Sequence, residues 1–237
     1  SGFSKSSFQL TIPSLIKGRN VKEAFIQVSS DLTGTKINLP SPLYKGVDDP
    51  LPLSFQYYPP LNQNYSKLQF RYGDIFRGKF NIVDKSLEGF IIAGKKKQTI
   101  SVGIKTISLI GTISELDLSL FSLLEFSGEG QIPSLEIKNL KIDKILLSNF
   151  SFPETLVSSL NSDKYLKLEI KNKNISGKVS IPRFKYLEPL VDLETINLSI
   201  SGTGNSSFFL DIYNNLDRSL EFKTDSLILN SIDYGNW

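Results

Sequence analysis

Apolar and polar residues alternate along nearly the whole chain, and this period of two constrains the fold more than any other feature. Leu53, Phe55 and Tyr57 alternate with Ser54 and Gln56, and Leu68, Phe70 and Tyr72 with Gln69 and Arg71. Leu166, Leu168 and Ile170 do the same against Lys167 and Glu169, as do Phe208, Leu210 and Ile212 further on. Successive side chains of a strand point to opposite faces, so each run presents one apolar and one polar face. Turn residues separate the runs: Gly73-Asp74, Asn172-Lys173-Asn174, Gly202-Thr203-Gly204 and Asn214-Asn215. Their spacing is that of successive hairpins. The pattern predicts an all-β chain of on the order of fifteen short strands in an antiparallel meander.

Two segments break the alternation. In "ISELDLSLFSLLEF", Leu116, Leu120, Leu123 and Leu124 fall near helical spacing behind Ser114, which predicts a short amphipathic helix over 114–126. Glu154 to Leu160, behind Pro153 at an N1-like position, is a second helix candidate. Both are short enough to serve only as caps against a sheet.

Function is narrowed by what the chain lacks. With 237 residues and 40% hydrophobic content it can bury a sizeable core. The 27 basic and 24 acidic residues are dispersed, so the charge of +3 gives no case for nucleic acid. Lys95, Lys96 and Lys97 form the one tight basic run, and "GKKKQ" reads as a solvated hairpin tip, with an anionic headgroup or partner contact as the alternative. There is no histidine and no cysteine. That removes the commonest general base and metal ligand, the thiolate nucleophile and any disulfide. Asp48-Asp49 before Pro50 reads as a solvated turn, and nothing supports a glycosidase pair. "GEGQIP" at Gly128 to Pro133 lacks the lysine and the following helix of a phosphate loop. Asn174-Ile175-Ser176 and Asn205-Ser206-Ser207 fit the glycosylation sequon, as chance allows in an Asn- and Ser-rich chain. The inventory therefore predicts no enzyme, no metal and no cofactor.

No apolar run approaches the roughly 18 residues of a membrane span, and no signal peptide is visible. Ser1-Gly2 reads as a vector-derived remnant, so the chain is expected to be an excised piece, with 1–20 as its edge strand.

What the chain has in abundance is apolar strand faces. A closed sandwich or barrel would bury them internally, whereas a curved sheet left open as a groove would hold apolar ligands against them. The more apolar face of each run supplies the candidate lining. It comprises Leu53, Phe55 and Tyr57, then Leu68, Phe70 and Tyr72, then Ile107 and Leu109. Further along it takes in Leu135 and Ile137, Leu166, Leu168 and Ile170, then Leu198 and Ile200, and finally Phe208 and Leu210. A strand of about six residues spans roughly 20 Å, the length of an acyl chain. Each buried methylene contributes about 0.8 kcal/mol, so such a groove needs no polar site to hold a lipid.

The stretch "SSDLTGTKINLPSPLYKGVDDPLPLSFQYYP", Ser29 to Pro59, resembles the characteristic segment of the YhdP family of AsmA-like proteins. Ser30, Asp31, Leu32, Gly34, Leu39, Pro40, Pro42, Leu43, Lys45, Pro52 and Leu53 match that segment in order. Downstream, "ISLIGTISELDLSLFSLL" is similar to the family's strand and short helix, with Phe121 in place of a tryptophan, and later β pairs resemble its carboxy-terminal half. The likeness runs from about Val21 onward. It implies an elongated, curved antiparallel sheet folded into an open apolar groove, continuous over 1–237, with one or two short helices. It also implies a periplasmic bridge in a Gram-negative bacterium, anchored in the inner membrane by a region outside this chain. Phospholipid acyl chains would slide passively along it toward the outer membrane.

Within that motif, Gly34 suits positive φ and Asp31 can accept from neighbouring amides. Pro40 and Pro42 remove ladder donors, so the strand must end or lie at an edge. Lys45 has two expected partners, an acid such as Asp48 or Asp49, or a lipid phosphate at the groove rim. Two other functions compete with the lipid conduit. One is a structural module of an envelope machine, such as the GspN-like component of type II secretion. The other is a carbohydrate-binding β domain using Tyr57, Tyr58 and Tyr65 as stacking platforms.

Overall fold

The computed structural model describes residues 4–12, 23–60, 64–84, 86–95, 106–117, 134–147, 150–160, 164–182, 190–198, 221–229 and 231–236. Sixteen strands run through these residues, and none of them is helical. Over these residues the fold is all-β and mostly antiparallel, as the alternation predicts, and the sheet is unclosed. It divides into two compact units, Ser1–Gly111 with Ile132–Leu135 and Thr112–Gln131 with Glu136–Trp237.

In the first unit, β1 (Ser6–Thr11), β2 (Phe25–Ser30), β3 (Leu53–Tyr58), β4 (Tyr65–Tyr72), β5 (Phe76–Val83) and β6 (Ser86–Ala93) form an antiparallel meander in chain order. β7 (Thr106–Ile113) then pairs in parallel with β6. Of the expected hairpin tip at "GKKKQ", Gly94 and Lys95 follow β6 directly, and residues 96–98 lie outside the described residues.

Register turns the local alternation into continuous rows. Phe8, Val28, Phe55, Phe70, Gly78, Ile91 and Leu109 pair successively across the seven strands. Leu10, Ile26, Tyr57, Leu68, Phe80, Gly89 and Ile107 form the next row on the same face. The reverse face carries Gln9, Gln27, Gln56 and Gln69 in one row, with Gln56 Nε2 donating to Gln27 Oε1 at 2.6 Å. Phe70 lies opposite Gly78, where an added Cβ would collide with its ring and stand 2.9 Å from Phe80 Cε2. The missing side chain lets Phe55, Phe70 and Phe80 stack with centroids 6.3 and 5.9 Å apart.

In the second unit, β9 (Ser134–Leu147), β10 (Phe150–Leu160), β11 (Tyr165–Lys171), β12 (Ile175–Pro182) and β13 (Leu190–Leu198) form another antiparallel meander. The two-residue β8 (Leu116–Asp117) pairs in parallel with Ile145 and Leu146. β14 (Glu221–Thr224) and β15 (Leu227–Leu229) both run parallel to β13, and β16 (Ile232–Asp233) closes antiparallel on β15. Leu140, Ile142, Val157, Leu193, Ile196 and Leu227 are buried and form the core of this unit.

Neither helix expectation holds where it can be examined. Glu154–Leu160 belongs to β10, extended from Thr155 onward, with Val157 opposite both Leu140 and Ile170. β-branched Thr155 and Val157 favour the strand. Ser158 and Ser159 use their hydroxyls to accept from Asn139 N and Ile137 N, partners that a helix would not offer. Of the 114–126 segment, Ser114 to Asp117 is non-helical, and 118–126 lies outside the described residues.

Glu194 is an extra residue on β13 where the register shifts beside Ser176 and Gly177. Gly177 has φ +148°, and a Cβ there would stand 2.5 Å from both Asp192 O and Leu193 Cα. Gly177→Ala should therefore lower stability by about 3 kcal/mol, read as an earlier denaturation midpoint with unchanged slope.

Candidate functional site

The first unit leaves much of its apolar face uncovered. Exposure falls from strand to strand: Phe8 is 68% and Leu10 57% exposed on β1, whereas Phe80 on β5 is 7% and Ala93 on β6 is 1% exposed. Ile12, Ile26, Val28, Phe55 and Tyr57 also stand in the open. At about 150–250 Å² per large side chain, these residues expose roughly 600 Å² of carbon, the upper end for a soluble monomer's largest patch.

Several hydroxyls on this face are bonded within the sheet and its loop. Tyr57 OH and Ser66 Oγ share a hydrogen bond at 3.0 Å. Ser30 Oγ donates to Lys5 O at 2.8 Å and accepts from Leu32 N at 3.0 Å. Tyr72 OH donates to Leu43 O at 2.7 Å. The face consequently offers an occupant carbon contacts and few polar anchors.

Segment 31–52 lies against the Leu53–Tyr72–Phe76 end of this face, tied there by Tyr72. It begins with a tight turn: Asp31 Oδ1 accepts from Thr33 N at 3.0 Å, and Gly34 has φ +85°. Beyond the Ile37–Lys45 bridge no ladder forms across Pro40 and Pro42, and Leu43 N donates back to Pro40 O at 3.0 Å. The Ser41–Pro42 peptide is cis.

Lys45 is the departure from expectation. Its ammonium meets neither Asp48 nor Asp49, both exposed, nor is it open to a phosphate, since the residue is 2% exposed. It donates to Thr35 O at 2.8 Å, Gly46 O at 2.6 Å and Val47 O at 3.4 Å. Three donors meet three carbonyls, so no valence is left for a headgroup.

At the β4–β5 turn, Arg71 Nη2 donates to Asp74 Oδ1 at 2.7 Å, and Lys95 Nζ stands 3.6 Å from the same carboxylate. The Arg71 hydrogen bond, with help from Lys95, holds the Asp74 carboxyl below its usual range. This trio is exposed and contributes little to stability. Among the described residues, no three His, Cys, Asp or Glu side chains gather as metal ligands would.

No family model, curated protein or solved structure matches the chain.

Eight predicted lining residues share the one apolar face of the first unit: Leu53, Phe55 and Tyr57 on β3, Leu68, Phe70 and Tyr72 on β4, and Ile107 and Leu109 on β7. Leu135 and Ile137 lie on β9, Ile137 being buried. Leu166, Leu168 and Ile170 share one face of β11, where Leu168 is enclosed. Leu198 ends β13 in register with Leu229. Ile200, Phe208 and Leu210 lie outside the described residues. Phe8, Leu10, Ile26 and Val28, also exposed on this face, are not among the predicted lining, although "SSFQLT" and "FIQVSS" carry the same alternation. Tyr57 projects from the apolar face and Tyr58 and Tyr65 from the other, so the three tyrosines do not make one carbohydrate platform.

Burial raises the Tyr72 phenol above 10.0. A phenol that holds its proton more tightly folded than unfolded contributes stability that is full below pH 10 and declines as pH rises through the folded value. Alkaline titration should therefore loosen segment 31–52 before the strands. The carbonyl-carbon NMR shift of Leu43, which accepts from Tyr72 OH, follows it, and Tyr72→Phe should remove the pH step.

Proposed function

We propose that this chain is a non-enzymatic lipid-holding segment of a periplasmic bridge of the YhdP-like, AsmA-like kind, carrying phospholipids between inner and outer membranes. The observation that carries the reading is the open apolar face of β1 to β3, on which Ser30 and Tyr57 are bonded internally and whose reverse face carries a row of glutamines. Such a surface binds by area rather than by polar recognition, at about 0.8 kcal/mol per methylene covered. Alkyl chains suit it because they need no partner for a polar group. The resemblance of Ser29–Pro59 to the family's segment supports the same reading and supplies the membrane setting. On this reading, anchoring falls to a part of the bridge outside this chain.

Native purification followed by lipid mass spectrometry tests it. The expected result is co-purifying phospholipid in near-stoichiometric amount, displaced by an excess of added fatty acid. Lipid-free protein that also fails to take up a fluorescent phospholipid from vesicles would remove the proposal and favour a structural module of an envelope machine.

A further inference from the structure

Lys45 is buried, and among the described residues no carboxylate forms an ion pair with it, an arrangement that costs several kcal/mol unless every N–H is bonded. Here every N–H is used, and its acceptors come from both limbs of segment 31–52: Thr35 on the outgoing limb, Gly46 and Val47 on the returning one. Backbone bonds reinforce the closure. Gly34 N donates to Val47 O at 2.9 Å, Ile37 and Lys45 exchange bonds at 3.0 Å, and Leu51 N donates to Asp31 O at 2.7 Å. The closed loop is then fixed to the sheet by Tyr72 OH on Leu43 O and by Leu51, whose Cδ1 lies where a Cβ on Gly73 would come within 2.8 Å. Tyr72 belongs to the apolar face, in register with Leu53 and Phe76. The loop is therefore built as a fixed body at one end of the strands, on the side where the carbon surface lies.

We propose that segment 31–52 is a rigid end wall of the apolar face and that Lys45 is its positioning residue, setting where a bound alkyl chain must stop without touching it. This rests on the lipid-holding reading. The ammonium acts through the wall: without it Thr35 O and Gly46 O lose this donor and Val47 O keeps only Gly34 N, the two limbs separate, and that end of the face opens to water.

Because the chain has no cysteine, Lys45→Cys can be alkylated at one position. Bromoethylamine forms a carbon–sulfur bond with loss of bromide and the thiol proton, restoring an ammonium at nearly the lysine length. Bromopropane gives a neutral chain of similar size. Amide exchange of Gly34, Ile37 and Lys45 should quicken about 100-fold in Lys45→Cys and its propyl form, and return toward the original rate in the aminoethyl form. Exchange in β4 and β5 should not move, which shows that the sheet still folds. Binding of dansyl-undecanoic acid should weaken about fivefold or more in the loosened forms, with emission shifted toward that in water, and recover with the ammonium. Tyr72→Phe, which frees the tip but keeps the lysine cage, should change the probe signal while Gly34 and Ile37 stay protected at neutral pH. Unchanged loop exchange in Lys45→Cys would overturn the positioning role. A loosened loop with unaltered probe affinity and emission would overturn the wall. Failure of the original chain to bind the probe would instead remove the lipid-holding reading, while the exchange measurements still decide whether Lys45 holds the loop.

Discussion

A chain carrying Phe55→Asp should keep its β-sheet signal and its thermal transition and lose most of its affinity for alkyl chains. Phe55 is exposed, so a carboxylate there can stay in water, and the fold is asked to bury no new charge. Its position is nonetheless central, between Val28 and Phe70 in register and stacked on the Phe70 ring at 6.3 Å. An occupant crossing that point would have to desolvate the carboxylate or lift away from it. Losing contact for three methylenes, at about 0.8 kcal/mol each, weakens binding roughly fiftyfold. Titration with a fluorescent fatty acid, paired with circular dichroism, reads both halves. Unchanged affinity in a folded variant would show that this face holds no lipid.

Leu168→Asp is expected to behave in the opposite way. Leu168 is enclosed between Ser159 and Val179 in register. An unpaired carboxylate there, together with the lost leucine contacts, should cost about 4 kcal/mol or more and melt the second unit first. The sign of its pH dependence is a further check. A buried carboxyl holds its proton more tightly folded than unfolded, so the deficit should be smallest below about pH 4 and grow as pH rises through the raised folded value. Amide exchange localised to β10, β11 and β12 would show the loss, and a variant as stable as the original would mean that Leu168 is not enclosed.

The contrast between these two positions marks what the sequence could and could not reveal. Alternation placed Leu53, Phe55, Tyr57, Leu68, Phe70 and Tyr72 on one face because these strands are joined in chain order, and each antiparallel neighbour inherits its register from the turn before it. Alternation is silent about what covers a face, so the enclosed Leu168 and the open Phe55 read alike. It is silent about strand direction too, so the parallel pairing of β6 with β7 is not legible in it. At Glu154 to Leu160 a proline followed by leucine spacing mimicked a helix start, and cross-strand bonds to Ser158 and Ser159 outweighed it. The surroundings of Lys45 were out of reach for a different reason: its partners are backbone carbonyls, which every residue has and no motif advertises.

The internal bonding of Tyr57, Ser66, Ser30 and Tyr72 has a consequence for motion as well as for binding. A lipid held by even one strong polar contact would have to break it at every step, and the slowest such break would set the pace. Where these hydroxyls are already committed, a chain shifting from the Phe8 row to its neighbour exchanges carbon for carbon, and the landscape it crosses is low in friction. If the proposed function is right, the quiet chemistry of this surface is what would let its cargo keep moving.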